Sequence, residues 1–373
     1  MIDRVMATRT LDDFDWRFVA LILAILSAGI LSIYSATHAQ NVSGLPLYVK
    51  QMLWVLVGSA AFLGMLAFDY HAIARHANLF YVFALVLLLV VLIAGKSIRG
   101  AQRWIPLGQF AFQPSEFAKL ALILTLARFY DKSPREGWIQ RVVLPGLIML
   151  PGLLLMLKQP DLGSGLSFLS IYVAMLLVVG IRSKTLGVLL LCALMLFPFA
   201  WEVMWGSLHD YQRERIMTFA NPSYDTGGKG YQGLQSRIAI GSGELLGKGL
   251  QGGSQSQLKF LPEGHTDFIF AVYAEEWGFL GSLALLALFL GLLVLSFEIT
   301  LRAKDPLGVL LGVGVIAMFG FCLLVNIGMT TGLFPIVGIP LPLMSYGGSS
   351  TVATLAALGL LLNIKRRRLT LFY

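Results

Sequence analysis

The chain has 373 residues, 57% hydrophobic and only 13% charged, with 28 Lys and Arg against 20 Asp and Glu. Soluble proteins carry about 25% charged residues; a mean hydropathy of +0.77 leaves more apolar surface than a soluble core buries, so this surface faces lipid. Ordinary soluble domains, disordered chains, collagen and disulfide scaffolds are excluded, and the two cysteines, Cys192 and Cys322, sit far apart in apolar runs as small hydrophobes.

A helical crossing takes about 20 apolar residues and satisfies its own backbone polar groups, which an open sheet in lipid does not. Apolar windows bounded by charge, Pro or Gly predict about ten spans, near residues 16–37, 47–68, 78–95, 114–130, 141–157, 164–181, 184–205, 267–300, 307–332 and 349–364. The reading is an all-α polytopic membrane protein, one integral membrane domain over 1–373. The first run follows Asp12, Asp13 and Asp15 rather than a basic stretch, and reads as a retained span. An even count puts both termini on one side. With that side cytoplasmic, the inner segments hold Arg75, Arg128, Lys132, Arg182, Lys304 and the run Lys365-Arg366-Arg367-Arg368. This positive-inside asymmetry accounts for the net charge of +8 without a nucleic-acid partner.

On the outer side, residues 206–266 form a large loop between spans 7 and 8, too long for a mere connector. It twice matches the dinucleotide fingerprint G-x-G-x-x-G, at Gly228 to Gly233 and Gly247 to Gly252. Neither match stands in a strand-to-helix turn, so both read as glycines that let the loop turn tightly, and no nucleotide is expected.

Polar clusters at the outer boundary carry more information, because a charge near hydrocarbon costs several kcal/mol. Arg99 to Gly108 runs into Gln113-Pro114-Ser115-Glu116 and Lys119, where Pro114 suits a helix first turn and Glu116 and Lys119 share a face. The alternatives are a capped helix start with a surface pair, or a functional cation a full turn inside a span. Lys158-Gln159-Pro160-Asp161-Leu162-Gly163 reads as a polar turn whose chemistry needs nothing more. Tyr211-Gln212-Arg213-Glu214-Arg215 offers two guanidinium groups suited to phosphate, or a solvated charge run.

Asp267 ends the string Pro262-Glu263-Gly264-His265-Thr266, and is either an N-cap or a carboxylate acting as general base toward a sugar hydroxyl or holding a divalent cation. Glu275 and Glu276 lie deeper, with no assigned task. The Pro- and Gly-dense segment 335–350 predicts irregular backbone buried against protein or lining a cavity.

Taken in order, Arg103-Trp104-Ile105, Gln113-Pro114-Ser115-Glu116, Lys158 to Gly163, Phe260 to Glu263 with His265 to Phe270, Glu275-Glu276-Trp277-Gly278 and Pro340 to Ser349 resemble the SEDS family (shape, elongation, division and sporulation) over essentially the whole chain. Gln255 to Leu258 before Lys259-Phe260 looks more like its RodA branch than its FtsW branch. The resemblance implies a ten-span peptidoglycan glycosyltransferase of the bacterial inner membrane. It polymerises lipid II on the outer face, inverting an α-linked diphosphate to a β-1,4 bond and releasing undecaprenyl diphosphate.

By the same resemblance Asp267 matches the essential aspartate, as general base or as ligand of Mg2+ or Mn2+. Glu116, Lys119 and Asp161 shape the substrate cavity, with Arg103, Arg213, Arg215, Thr266 and Ser345 as further substrate contacts. A class B penicillin-binding protein within the elongation complex is the implied partner. A precursor flippase and a noncatalytic scaffold are the competing readings; the outer clustering of charge favours the enzyme.

Overall fold

The computed structural model describes residues 15–38, 44–98, 101–108, 110–132, 137–180, 213, 217, 229–258 and 260–367. Its elements are α1 Trp16–Thr37, α2 Leu47–Ala67, α3 Tyr70–Arg75, α4 Ala77–Ala94, β1 Lys96–Ile98, β2 Ala101–Leu107, β3 Phe110–Phe112, α5 Pro114–Lys132, a π turn Ile139–Val143 running into α6 Leu144–Lys158, α7 Leu162–Val179, α8 Lys229–Ser242, α9 Ser254–Gln257, α10 Ile269–Leu301, α11 Pro306–Thr331 and α12 Gly348–Arg367. Nine of the ten predicted spans coincide with these helices; the tenth, 184–205 with Cys192, lies outside the described residues. Among the described residues, eight helices are long and apolar enough to cross a membrane. The remaining span, α5, carries Glu116, Lys119, Arg128, Asp131 and Lys132, and compensates by burying Ala118, Leu122, Ile123 and Leu126 inside the bundle. The chain is a multi-pass membrane protein.

The core centres on α12, buried along nearly its whole length, and on α5. Close contact of α2 with α12 depends on small residues: a β-carbon at Gly58 would meet Leu355, and one at Gly359 would meet the Phe62 backbone. Helices in lipid gain association from such backbone proximity, since burial of apolar surface drives little there.

The ends of the bundle differ in chemistry. At one end Lys365 pairs with Asp15, and Arg367 with Asp69 at 3.3 Å, so the described chain ends meet. There Asp305 caps α11 through the Gly308 amide at 2.6 Å and accepts from the Tyr70 hydroxyl at 2.6 Å, with His71 Nε2 at 2.8 Å. Burial works to raise the Asp69 carboxyl, but hydrogen bonds from the backbone and ring of His71 prevail and hold it below its ordinary value.

The opposite end holds the irregular structure. Beside the helices, β1, β2 and β3 form a small three-stranded antiparallel sheet, order β1-β2-β3, with Lys96 opposite Trp104 and Ile105 opposite Phe112. Leu107 and Phe110 close the second hairpin across Gly108, whose φ of +64° suits a two-residue turn. Windows of about 20 residues pass over such short strands.

α10 is broken at Gly278 (φ 66°, ψ −162°), and the 206–266 segment supplies what the break leaves unpaired. Phe279 and Leu280 donate to the carbonyls of Glu244 and Leu245 at 2.8 and 3.1 Å, while Lys248 and Gly249 donate to those of Glu275 and Glu276 at 3.1 and 2.9 Å. Gly247 and Gly249, at φ +79° and +84°, turn the chain here, as expected of the second glycine match. In the first match the glycines serve differently, because Gly230 and Gly233 lie within α8.

Glu275 and Glu276 lock this seat. Glu275 Oε1 accepts from Lys248 Nζ at 2.7 Å, Ser254 Oγ at 3.2 Å and the Gln255 amide at 3.1 Å; Glu276 Oε1 accepts from the Gln251 amide at 3.2 Å and from Ser35 Oγ on α1. A β-carbon at Gly278 would overlap the backbone of Gly247 and Leu245, whereas Gly241 faces open space. Gly278→Ala therefore lowers the thermal unfolding midpoint in detergent, by about 1–3 kcal/mol of stability, and opens 244–249 to proteolysis. Gly241→Ala leaves both unchanged.

Candidate active site

The residues singled out from the sequence gather at this irregular end in two connected groups. The first is built on α5 and α7. Pro114 opens α5, and Glu116 and Lys119, one turn apart, form an ion pair at 2.8 Å with each residue about 95% buried (5% and 4% exposed). The pair is therefore not a surface feature. Asp161 caps α7 by accepting from the Ser164 amide at 3.2 Å, and Ser115 Oγ donates to its other oxygen at 3.4 Å. Arg103, reaching from β2, faces Asp161 at 3.4 Å and donates to the carbonyls of Gln159 (3.4 Å) and Pro160. These contacts hold the Gln159-Pro160-Asp161 turn, which Gln159 also ties to α4 by donating to the Leu88 carbonyl at 2.5 Å.

The second group surrounds Asp267. Residues 262–268 are turns and α10 begins at Ile269 after Phe268, so Asp267 is not the N-cap that its residue type suggests. The turns have their own closure, with the amides of Thr266 and Phe268 donating to the Glu263 carbonyl at 3.1 and 3.2 Å and Thr266 Oγ1 to Glu263 Oε2 at 3.0 Å. This puts the N-cap at Phe268, one residue past Asp267, and leaves the Asp267 side chain half-buried.

The segment 335–347 wraps this turn without regular structure, as its Pro and Gly content predicts. Ser345 Oγ accepts from the Leu341 amide at 2.8 Å and donates to the Thr266 carbonyl at 2.6 Å; the Tyr346 amide donates to the His265 carbonyl at 2.9 Å. Burial pushes the Tyr346 hydroxyl up from its ordinary value. Gly338, at φ +75°, faces the carboxylate directly: a β-carbon there would stand 3.1 Å from Asp267 Oδ2.

Links between the groups run through the same segment and through the start of α12. Gly163, beside Asp161, packs on Ile339, and the Gln113 amide donates to Ser349 Oγ at 2.8 Å. Sequence reasoning missed three polar side chains that fasten these pieces. Gln51 on α2 donates to Thr351 Oγ1 at 2.9 Å and accepts from the Gly347 amide at 3.2 Å. Asn326 on α11 donates to the carbonyls of Asp267 and Ile339. Lys248 pairs with Glu275. An isolated amide inside an apolar span was the available signal for the first two.

Arg213 is half-buried, and Arg215 lies outside the described residues. A divalent cation finds no cage of protein ligands: among the described residues no three of His, Cys, Asp and Glu gather as a metal group.

Removing one partner of the Glu116–Lys119 pair leaves an uncompensated buried charge, a loss of about 3–5 kcal/mol. Lys119→Met alone is strongly destabilising, and the double variant Glu116→Gln/Lys119→Met recovers much of that loss in thermal unfolding.

Comparison with known proteins follows the same residues. Residues 15–369 match the cell cycle protein family of FtsW, RodA and SpoVE. The peptidoglycan glycosyltransferase MrdB of Escherichia coli K12 is 36% identical over 95% of this chain and 94% of its own length; the peptidoglycan glycosyltransferase RodA of Treponema pallidum is 32% identical over 98% and 100%. A probable FtsW of Trichlorobacter lovleyi is 38% identical over 95% and 93%. Among solved structures, a chain from a peptidoglycan synthase complex that coordinates polymerization and crosslinking superposes with a TM-score of 0.81 at 34% identity, covering 95% of this chain and 98% of that one. Thermus thermophilus RodA superposes at 0.70 with 31% identity over 96% and 98%. With this coverage across sequence and fold, the chain belongs to the FtsW, RodA and SpoVE family, the SEDS family that its motifs resemble.

Proposed function

We propose that this chain is a peptidoglycan glycosyltransferase that polymerises lipid II into β-1,4-linked glycan, with Asp267 as general base. It is the activity for which its relatives are named. The observation that carries the reading is the half-buried Asp267 carboxylate, fixed in a turn against Gly338 where helix geometry is interrupted.

The C4 hydroxyl of the acceptor sugar attacks C1 of the donor N-acetylmuramic acid from the face opposite the diphosphate. The O4–C1 bond forms, the bond from C1 to the diphosphate oxygen breaks, and the hydroxyl proton passes to Asp267. Undecaprenyl diphosphate leaves as a stable anion, so it needs charge neutralisation rather than a second acid. Lys119, with Arg213 and Arg215, supplies positive charge toward it. Glu116 holds Lys119 in place, Thr266 and Asp161 border the sugars, and Arg103 and Ser345 support the site through the backbone carbonyls they bind.

The reading places the irregular end at the outer face of the bacterial inner membrane and both termini in the cytoplasm, consistent with Lys365 and Arg367 at the opposite end. A class B penicillin-binding protein, acting in the elongation complex, crosslinks the strands. The solved synthase complex that this fold matches supports such a partnership.

The test incubates purified chain, with and without its penicillin-binding partner, with fluorescent lipid II and Mg2+ or Mn2+, and resolves products on a gel. Wild type gives glycan ladders and Asp267→Asn lowers their rate by at least about a hundredfold, with the same unfolding midpoint. A parallel reaction with EDTA reads any contribution of the cation. No ladder from folded, partnered wild type overturns the reading in favour of transport or scaffolding.

A further inference from the structure

Asn326 sits near the end of α11, fully buried, in a stretch otherwise composed for lipid and helix packing. Its Nδ2 donates to two backbone carbonyls that belong to different elements, that of Asp267 at 2.9 Å and that of Ile339 at 2.7 Å. The orientation of the amide is determined: a flip would set Oδ1 against two carbonyl oxygens, with no donor to offset the repulsion. Among the described residues Oδ1 has no hydrogen-bond partner, and the two bonds of Nδ2 run toward the Asp267 turn and the segment that faces it.

The two carbonyls bracket the reacting group. One is that of Asp267; the other lies one residue beyond Gly338, whose α-carbon faces Asp267 Oδ2 closely enough that a β-carbon would stand 3.1 Å away. A shift of either segment moves the carboxylate relative to its wall. Neither carbonyl lies within a helix or sheet, and Ser345 braces the same turn one residue earlier, at the Thr266 carbonyl. The helix that carries Asn326 is tied down beside it: Thr330 Oγ1 donates to the Asn326 carbonyl at 3.0 Å, and Ser236 Oγ on α8 donates to the Thr330 carbonyl at 2.8 Å.

We infer that Asn326 is a positioning residue for glycosyl transfer, setting the distance and direction of the Asp267 carboxylate by clamping its turn to the Gly338-Ile339 segment. The inference rests on the reading of Asp267 as the base. Asn326 touches no substrate; it acts through the backbone of the residue that does. It therefore governs the chemical step rather than substrate affinity, because a base displaced by an ångström or less loses alignment with the hydroxyl while the sugar and lipid contacts persist.

Asn326→Leu is the informative variant, since leucine branches at Cγ as asparagine does and suits a membrane helix, so α11 keeps its place while both donors are lost. Full-length wild type, Asn326→Leu, Gly338→Ala and Asp267→Asn are purified and assayed with lipid II across pH. Their folded fraction is read by size exclusion and thermal unfolding. The expected result for Asn326→Leu is a kcat lowered on the order of tenfold to a hundredfold, a KM within about twofold of wild type, and an acidic limb of the kcat profile moved in pH.

Gly338→Ala, which presses on the carboxylate from the other side, gives the same pattern and carries the test if Asn326→Leu is not recovered folded. Wild-type kcat in the folded variant overturns the inference. So does a loss accounted for by KM or by the folded fraction with the acidic limb in place. Asp267→Asn separates the two ideas: full activity there sinks the reading of Asp267 itself, whereas an inactive Asp267→Asn beside a wild-type-like Asn326→Leu sinks only the clamp.

Discussion

A backbone amide or carbonyl inside a bilayer has no water to turn to, and every departure from helix must be answered by another part of the protein. This constraint organises the irregular end of the molecule. The break at Gly278 frees two amides and two carbonyls, and four backbone hydrogen bonds with residues 244–249 absorb them. The turn at 262–268 and the segment 335–347 are answered mainly by side chains: Ser345, Gln51 and Asn326 bond to carbonyls and amides that no helix pairs. A membrane protein that needs a carboxylate away from regular helix geometry therefore needs polar side chains in neighbouring spans. Their positions trace where the chain was freed from helix for another purpose.

Charge follows the same logic with larger energies. Glu116 and Lys119 are each almost wholly buried, and their pairing replaces the hydration that both have lost. Glu275 is buried as deeply and meets its cation, Lys248, from a different segment, so the ion pair fastens the 242–257 region onto α10 rather than stabilising one helix. At the opposite end the pairs Lys365–Asp15 and Arg367–Asp69 are partly exposed, where solvent screens them and each contributes less than about 1 kcal/mol. Basic residues there fit orientation in the membrane better than they fit catalysis. The strongly coupled charges lie at the end where chemistry is proposed.

Hydropathy was enough to locate nine described helices within a few residues, because a span announces itself by length and composition alone. The Glu116–Lys119 pair was legible for a related reason: helix periodicity fixes an i,i+3 contact once the helix is known. The structure departed from expectation wherever tertiary contacts outweighed local preference. Asp267 has the residue type of an N-cap, yet turns closed on the Glu263 carbonyl move the helix start past it. The short strands at 96–112 carry their signal over three to seven residues, which windows sized for a membrane do not resolve. Glu275 and Glu276 could be placed deep in the bundle but not given a task, since their partners lie 20 or more residues earlier in sequence.

Two glycines at the irregular end show how these levels meet. Gly278 and Gly338 both take positive φ, and both stand where a β-carbon would meet something specific, backbone in the first case and the Asp267 carboxylate in the second. Gly278 is needed so that the 244–249 turn can approach a broken helix, and that approach in turn satisfies the break. Gly338 is needed so that an irregular segment can pass a carboxylate without displacing it. The first glycine acts on stability and the second on geometry at the proposed reaction center, although both appear in the sequence as a glycine in an apolar neighbourhood. What distinguishes them is the chemical identity of the opposing atom, which depends on elements far apart in the chain. The irregular segments of this bundle are therefore as specifically built as its helices, and the candidate active site lies within them.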